Sequence, residues 1–345
     1  MNNRVHTFSL NLDWPVVNAI SRIDRFDASW LAIQQREGQS LRQLKHIATV
    51  RSVGSSTRIE GSKMSDKEVE ALIENLDISK LKDRDSQEVA GYHNLLDLIS
   101  VSNGEIEIKE NEIKNLHNLL LKYSDKDAWH RGEYKQMSNA VEAANLDGTK
   151  QIIFQTTDPG FPTEDSMRRL IEWFNQDKET HPLVKASVFT YEFLSIHPFQ
   201  DGNGRLSRLL TTLLMLKNGY SWIQYVSFEH EIENNKEEYY RNLMECQQRR
   251  PNEDVSLWVV FFLSSLENVF EKLNKKLEIK GAISQLSPKE KSVWVLIQER
   301  PGIRSGEIAT KLEIPQPTIK RILKKLLSRQ IIKKFGVGPG TNYSV

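Results

Sequence analysis

The sequence predicts a mainly α-helical chain in two parts, a large helical body with one small β excursion and a compact C-terminal domain. Three observations lead there. Apolar residues recur at helical spacing along most of the 345 residues. Between Trp129 and Pro162 that period is lost, and two short β-leaning pieces flank an Asp-Gly pair. Charge also changes sign along the chain. From Gly281 to Val345 there are 12 Lys and Arg against 4 Asp and Glu, a net of +8, whereas the preceding residues carry 35 against 42, a net of −7. The expected division is an N-terminal helical region over 1–110, a core over 111–280 and a tail domain over 281–345.

Taken in order, the stretch from Ser29 to Gly61 is helical in composition, with Leu41, Leu44 and Ala48 on one face and Gly61 as a helix stop. "KEVEALIENL", "SQEVAGYHNLLDLIS" and "KENEIKNLHNLLLKYS" are further amphipathic helices, the last with Ile113, Leu116 and Leu120 in one stripe. "NAVEA" and "QIIFQTT" read as strands joined through Asn145-Leu146-Asp147-Gly148. Thr163 is the expected N-cap of the next helix, with Glu164 and Asp165 in its first turn. Helices follow at "PLVKASVFTYEFLSI", "LSRLLTTLLMLKNG", "KEEYYRNLMECQQR" and "VSLWVVFFLSSLENVFEKLNKKLEI", then a linker near Lys280 to Leu286.

Composition narrows the function classes. At 39% hydrophobic and 27% charged residues the chain can bury a core. No apolar run approaches the length of a membrane span, so no membrane partner is expected; Ser256 to Leu266, the greasiest stretch, reads as a buried helix. The first residues lack the basic-then-apolar layout of a secretory signal. The one cysteine, Cys246, rules out a disulfide framework and a cysteine zinc site. Cytoplasmic location is the expectation.

Chemistry concentrates in "HPFQDGNGRLSR", His197 to Arg208. A Gly-rich loop running into a helix N-terminus presents unpaired backbone N–H groups and the positive end of the helix dipole, which makes an anion site. Arg205 and Arg208, three apart, project from one side of the first turns and suit phosphate oxygens. Asp201 is a hard carboxylate suited to Mg²⁺ carried by a polyphosphate. His197 can act as a general base at neutral pH.

This stretch resembles the signature of the Fic proteins, His-x-Phe-x-(Asp/Glu)-Gly-Asn-Gly-Arg-x-x-Arg, and matches it at every position. The resemblance extends over roughly Trp30 to Leu273. It implies a Fic-type helical bundle with a β-hairpin flap, and AMP transfer from ATP to a Ser, Thr or Tyr hydroxyl of a target protein or of the protein itself. By the same resemblance His197 is the base, Phe199 the buried anchor and Asp201 the magnesium ligand. Gly202, Asn203, Gly204 and Arg205 cradle the α- and β-phosphates, and Arg208 grips the γ-phosphate. The edge Phe154-Gln155-Thr156-Thr157 corresponds to the flap that docks the target strand over the nucleotide. Tyr239, Tyr240 and Gln247 stand about where the family contacts adenosine.

"SSTRIEG" is similar to the family's inhibitory motif, with Ser56 and Glu60 four apart on one helix face. The resemblance implies that Glu60 pairs with Arg208 and displaces the γ-phosphate. Thr57-x-x-Glu60 also fits a capping box, but no apolar helical run starts there, so a helix ending at Gly61 fits better. The same glutamate could instead orient a water to remove AMP.

In the tail, Ser305 to Leu312 and Gln316 to Ser328 form two helices around the turn Glu313-Ile314-Pro315. "IIKKFGVGPGTNYSV" reads as two strands around a Gly-Pro-Gly tip. This resembles a winged helix-turn-helix. Its second helix exposes Gln316, Thr318, Lys320, Arg321 and Lys324, types that suit phosphates and base edges. Two alternatives to an AMP transferase stay open: a nucleotide-sensing DNA-binding regulator with a Fic-like body, and transfer of another phosphate-containing group. A homodimer is the expected assembly from the family and the tail.

Overall fold

A computed structural model describes residues 8–144 and 150–345. It divides into an N-terminal unit up to Phe270 and a C-terminal unit from Glu271.

The N-terminal unit is built around a buried helical hairpin. Helix α6 (Pro182–Ile196) and helix α7 (Asn203–Lys217) bury almost every side chain, polar ones included. Helices buried on all sides belong in a core, and these two lie against each other at its centre. Helices α1 (Trp14–Ile59), α3 (Arg84–Ser102), α4 (Glu110–Leu120) and α5 (Phe161–Gln176) pack around them, with α2 (Asp66–Glu74) on the outside of α1 and α3. The 46 residues of α1 are interrupted at Gly38, whose φ of 25° and ψ of −95° leave the helical region. Two short helices, α8 (Phe228–Asn234) and α9 (Lys236–Gln247), follow; α8 lies on α1, and α9 packs against α8 and the strand Lys150–Gln155. Trp258, at the start of α10 (Ser256–Ser284), donates its indole N–H to Ser187 O at 2.9 Å and so fixes that helix on α6.

The expected hairpin is present as strands β1 (Ala140–Ala144) and β2 (Lys150–Gln155), antiparallel with an irregularity between Val141 and Glu142. The turn assigned to Asn145-Leu146-Asp147-Gly148 lies outside the described residues. Three local expectations are corrected. Helix α5 begins at Phe161 behind Gly160, so Thr163 is not its N-cap; its hydroxyl donates instead to Asp158 O at 2.6 Å. Helix α7 begins at Asn203, three residues ahead of the stretch "LSRLLTTLLMLKNG" read as helical. The stretch read as a linker from Lys280 is helical as far as Ser284, because α10 continues through it.

The C-terminal unit contains α11 (Pro288–Glu299), α12 (Ser305–Leu312) and α13 (Gln316–Ser328), then antiparallel strands β3 (Lys333–Phe335) and β4 (Asn342–Ser344). Its core holds Val293, Ile297, Ile308, Ile322, Leu326 and Tyr343. A left-handed Glu313, with φ 53°, turns the chain between α12 and α13. On α13, Ile319, Ile322, Leu323 and Leu326 are buried, while Gln316, Lys320, Arg321 and Lys324 are exposed and Thr318 half-buried.

Candidate active site

The turn from α6 to α7 carries the His197–Arg208 stretch. His197 ends α6 in the left-handed region (φ 54°, ψ 60°), its N–H still bonded to Phe193 O at 2.9 Å. Its Nδ1 lies 3.3 Å from Leu194 O. A carbonyl can only accept, so Nδ1 carries the hydrogen and Nε2 keeps its lone pair. Burial pulls the imidazole pKa from 6.5 to about 4, which leaves the ring neutral at pH 7.

Phe199 is fully buried and stacks on His117, with ring centroids 3.8 Å apart and planes 7° from parallel. Asn203 closes the turn behind it: its Oδ1 accepts from Phe199 N at 2.9 Å and its Nδ2 donates to Phe199 O at 2.7 Å. The Asn203 side chain is therefore a brace inside the turn, and what it offers outward is the backbone at the start of α7. No side chain caps that helix end, which suits an anion. Glycine is needed on both sides of Asn203. Gly202 has φ 80°, and a Cβ on Gly204 would fall 2.2 Å from Glu60 Oε1.

Asp201 sits in a ring of alternating charge. Its Oδ1 accepts from Gly202 N at 2.5 Å and Arg205 Nη2 at 3.2 Å, and its Oδ2 from Arg84 Nη2 at 3.2 Å. Glu88 Oε1 lies 2.6 Å from Arg84 Nε and 3.1 Å from Arg205 Nη1. Burial raises the Asp201 pKa, but Arg205 and its other partners together hold the carboxyl below its ordinary value. The Asp201 carbonyl accepts from His117 Nε2 at 2.9 Å, while Gly132 N donates to His117 Nδ1 at 2.8 Å. His117 thus supports the loop from below as a neutral ring, its pKa lowered by burial to about 4.

Arg208 is 1% exposed. Its Nε donates to Ser56 Oγ at 2.8 Å, and its Nη2 to Ser56 O at 3.0 Å and Glu60 Oε1 at 2.7 Å. Burial works against both charges, yet each stabilises the other: the Glu60 pKa is lowered and that of Arg208 raised. Helix α1 ends at Ile59, and the Glu60 and Ser62 N–H groups both bond to Thr57 O, so Thr57 is in a helix end and not in an N-terminal capping box.

Comparison with known proteins fits this geometry. Residues 107–215 match the Fic/DOC family, and residues 295–333 match a winged helix-turn-helix DNA-binding family. The chain carries a Fic domain. It is 25% identical over 189 residues to the protein adenylyltransferase fic-1 of Caenorhabditis elegans, covering 52% of this chain and 34% of that protein. With the Drosophila melanogaster protein adenylyltransferase Fic it shares 28% identity over 193 residues, 55% and 36% of the two chains. The match thus spans about a third of the length of these curated relatives. A Fic family protein from Desulfovibrio desulfuricans G20 shares the fold over 99% of this chain and 98% of its own, at a TM-score of 0.66 and 22% identity.

The Fic-domain residues named from sequence do not all face one space. Thr156 follows β2 and its hydroxyl bonds to Asn139 O at 2.8 Å; Thr157 comes next in the chain. The backbone of Phe154 and Gln155 is in β2, whereas their side chains lie outside the described residues. Tyr239 is buried against Trp258 and Phe261, and Tyr240 is half-buried beside it. Gln247 is buried and donates to Ser195 Oγ at 2.7 Å.

Four side chains of the site were missed: Arg84, Glu88, His117 and Lys135. They sit on three separate segments, Arg84 and Glu88 sharing α3, and none has a spacing signal relative to His197. Phe199 gives a stability test. Truncating it to Ala removes the ring under the loop and leaves a cavity against His117. The expected loss is about 3–5 kcal/mol in chemical denaturation of the N-terminal unit; a loss under about 1 kcal/mol would show that the ring is not the anchor.

Proposed function

We propose that the Fic domain is a protein adenylyltransferase, restrained by Glu60. The observation that carries this reading is the neutral His197, whose Nε2 lone pair has no partner among the described residues, set shortly before an uncapped helix N-terminus and two arginines. The site fits a polyphosphate. Among the described residues Arg205 keeps a buried Nε without a hydrogen-bond partner, and Gly202 and Gly204 place no side chain of their own at the helix end. Asp201, with a partly exposed carboxylate, would hold the metal that arrives with ATP. That ion supplies charge neutralisation on the phosphates.

In this mechanism the target strand pairs with the hairpin and brings a Ser, Thr or Tyr hydroxyl to His197; the protein itself is a second acceptor. The hydroxyl oxygen attacks the α-phosphorus as its proton passes to Nε2. The bond from the α-phosphorus to the bridging oxygen breaks, and pyrophosphate leaves. The backbone N–H groups of Asn203 and Gly204 and the Arg205 side chain stabilise the charge that develops. The test uses the Glu60→Gly protein with ATP labelled at the α- or the γ-phosphate. Label entering protein from the α-position alone is the expected result. Label from γ alone identifies a kinase, and none from either points to a nucleotide sensor.

The C-terminal unit supports a DNA-contact role. Its exposed Lys320, Arg321 and Lys324 share the outer face of α13 with Gln316. The full chain should be retained on duplex DNA in a salt-sensitive way. Replacing these three cations with Ala should flatten the slope of log affinity against log salt by up to about three. No retention at low salt would remove this role.

A further inference from the structure

Lys135 is 2% exposed, a rare place for an ammonium group. Among the described residues no carboxylate contacts it. Its Nζ donates instead to Asn139 Oδ1 at 2.9 Å, Thr156 Oγ1 at 2.8 Å and Ile196 O at 3.1 Å. Three N–H bonds meet three acceptors, so the group is satisfied without a counter-charge.

These acceptors belong to three separate segments. Asn139 immediately precedes β1, Thr156 immediately follows β2, and Ile196 immediately precedes His197. Asn139 closes the set. Its Oδ1 lies 2.5 Å from the Thr156 hydroxyl, and its Nδ2 donates to Phe199 O at 2.9 Å. The Lys135 backbone adds a bond of its own, N–H to Pro198 O at 2.8 Å. Both ends of the hairpin and both sides of His197 are thus joined through one buried cation.

We infer that Lys135 is a positioning residue that locks the root of the β1–β2 hairpin to the His197 turn, so that a strand docked on the hairpin arrives in register with His197 Nε2. This rests on the proposed role of His197 as base. The lock explains why a lysine is retained where burial disfavours its charge. A neutral side chain would supply at most two donors and could not hold all three segments. Lys135 also places positive charge beside the imidazole. The other charges facing His197 are Glu60 from the end of α1 and Asp201 from the signature loop, and both act in the opposite sense.

The closing experiment reads the lock without needing catalysis. Histidine Cε1 resonances are titrated by NMR in the parent, Lys135→Met and Lys135→Arg proteins, with His197→Ala assigning the peak. Lys135→Met should raise the His197 titration midpoint by at least about half a unit, and Lys135→Arg should bring it back. Thr156→Val keeps the charge but removes the tie to β2. It should raise amide exchange at 151–156 and at 196–199 together, at least about threefold. An unchanged midpoint in a folded Lys135→Met protein overturns the inference, as does unchanged exchange in Thr156→Val. In the Glu60→Gly background Lys135→Met should lower kcat for AMP transfer about tenfold or more with little change in KM for ATP. If no AMP transfer is found in that background, the NMR and exchange results still decide the role of Lys135.

Discussion

Replacing Glu60 with Gly should raise AMP incorporation about 10- to 100-fold at a fixed MgATP concentration. The range follows from the contact removed, a charge-assisted hydrogen bond worth about 1.5–3 kcal/mol, which the γ-phosphate must otherwise displace. The structure also says what the substitution leaves alone. The end of α1 is held independently of Glu60. Arg58 donates to Glu233 Oε1 at 2.7 Å and lies 2.9 Å from Asp66 Oδ1, and Lys236 Nζ donates to Ile59 O at 2.7 Å. Arg208 keeps its bonds to Ser56 Oγ and Ser56 O. The guanidinium therefore stays in place and loses only its bond to Glu60, the partner proposed to compete with nucleotide. A second readout follows. Without Glu60, Arg208 is a buried cation lacking a counter-charge, so the variant should melt below the parent when no nucleotide is present and gain more than the parent from added ATP. Equal activity of variant and parent at saturating MgATP, with equal stabilisation by ATP, would remove the brake.

How far the site was legible depended on whether its parts are close in sequence. The twelve residues from His197 to Arg208 carry their own geometry: a helix end, a left-handed turn, a new helix start. Residue types in fixed order were enough to read it. Ser56 and Glu60 were legible for a similar reason, because four residues apart means one helix face. The residues behind them were not. His117 on α4, Arg84 and Glu88 on α3 and Lys135 before the hairpin meet the loop only through tertiary packing, and each looks like an ordinary polar residue of its own segment. Asn203 shows the limit of a matching motif. The residue stands where the resemblance requires, yet its side chain turns inward to brace Phe199 and leaves only its backbone for the proposed phosphate site. The fold followed the same rule. Helical periodicity marked α3, α4, α6, α7 and α13 well. The start of α5 was misread because Thr163 has the composition of a cap while Gly160 supplies the geometry of one.

Replacing His197 with Ala should lower AMP transfer by about 10²- to 10⁴-fold, the usual contribution of a general base. The loss should fall on kcat, with ATP binding retained, since the ring lies beside the phosphate cradle and is not part of it. The fold should survive, because among the described residues the His197 ring makes one bond, at 3.3 Å to Leu194 O, and the backbone bond to Phe193 O is kept. The pH profile sharpens the test. Burial lowers the imidazole pKa from 6.5 to about 4, so the acid limb of log kcat/KM should lie well below the ordinary histidine range. Stability moves in the same window for a linked reason. The unfolded chain binds a proton at this histidine below about pH 6.5, and the folded protein does not until about pH 4. His117 behaves alike, with its value lowered from 6.5 to about 4. Stability should therefore be present above pH 6.5 and decline as pH falls toward 4. His197→Ala removes one of these two contributions, so between pH 6.5 and 4 the variant should lose less stability than the parent does. Transfer at the parent rate in a folded His197→Ala protein would mean that the proton leaves the hydroxyl by another route, and the assignment of His197 as base would fall.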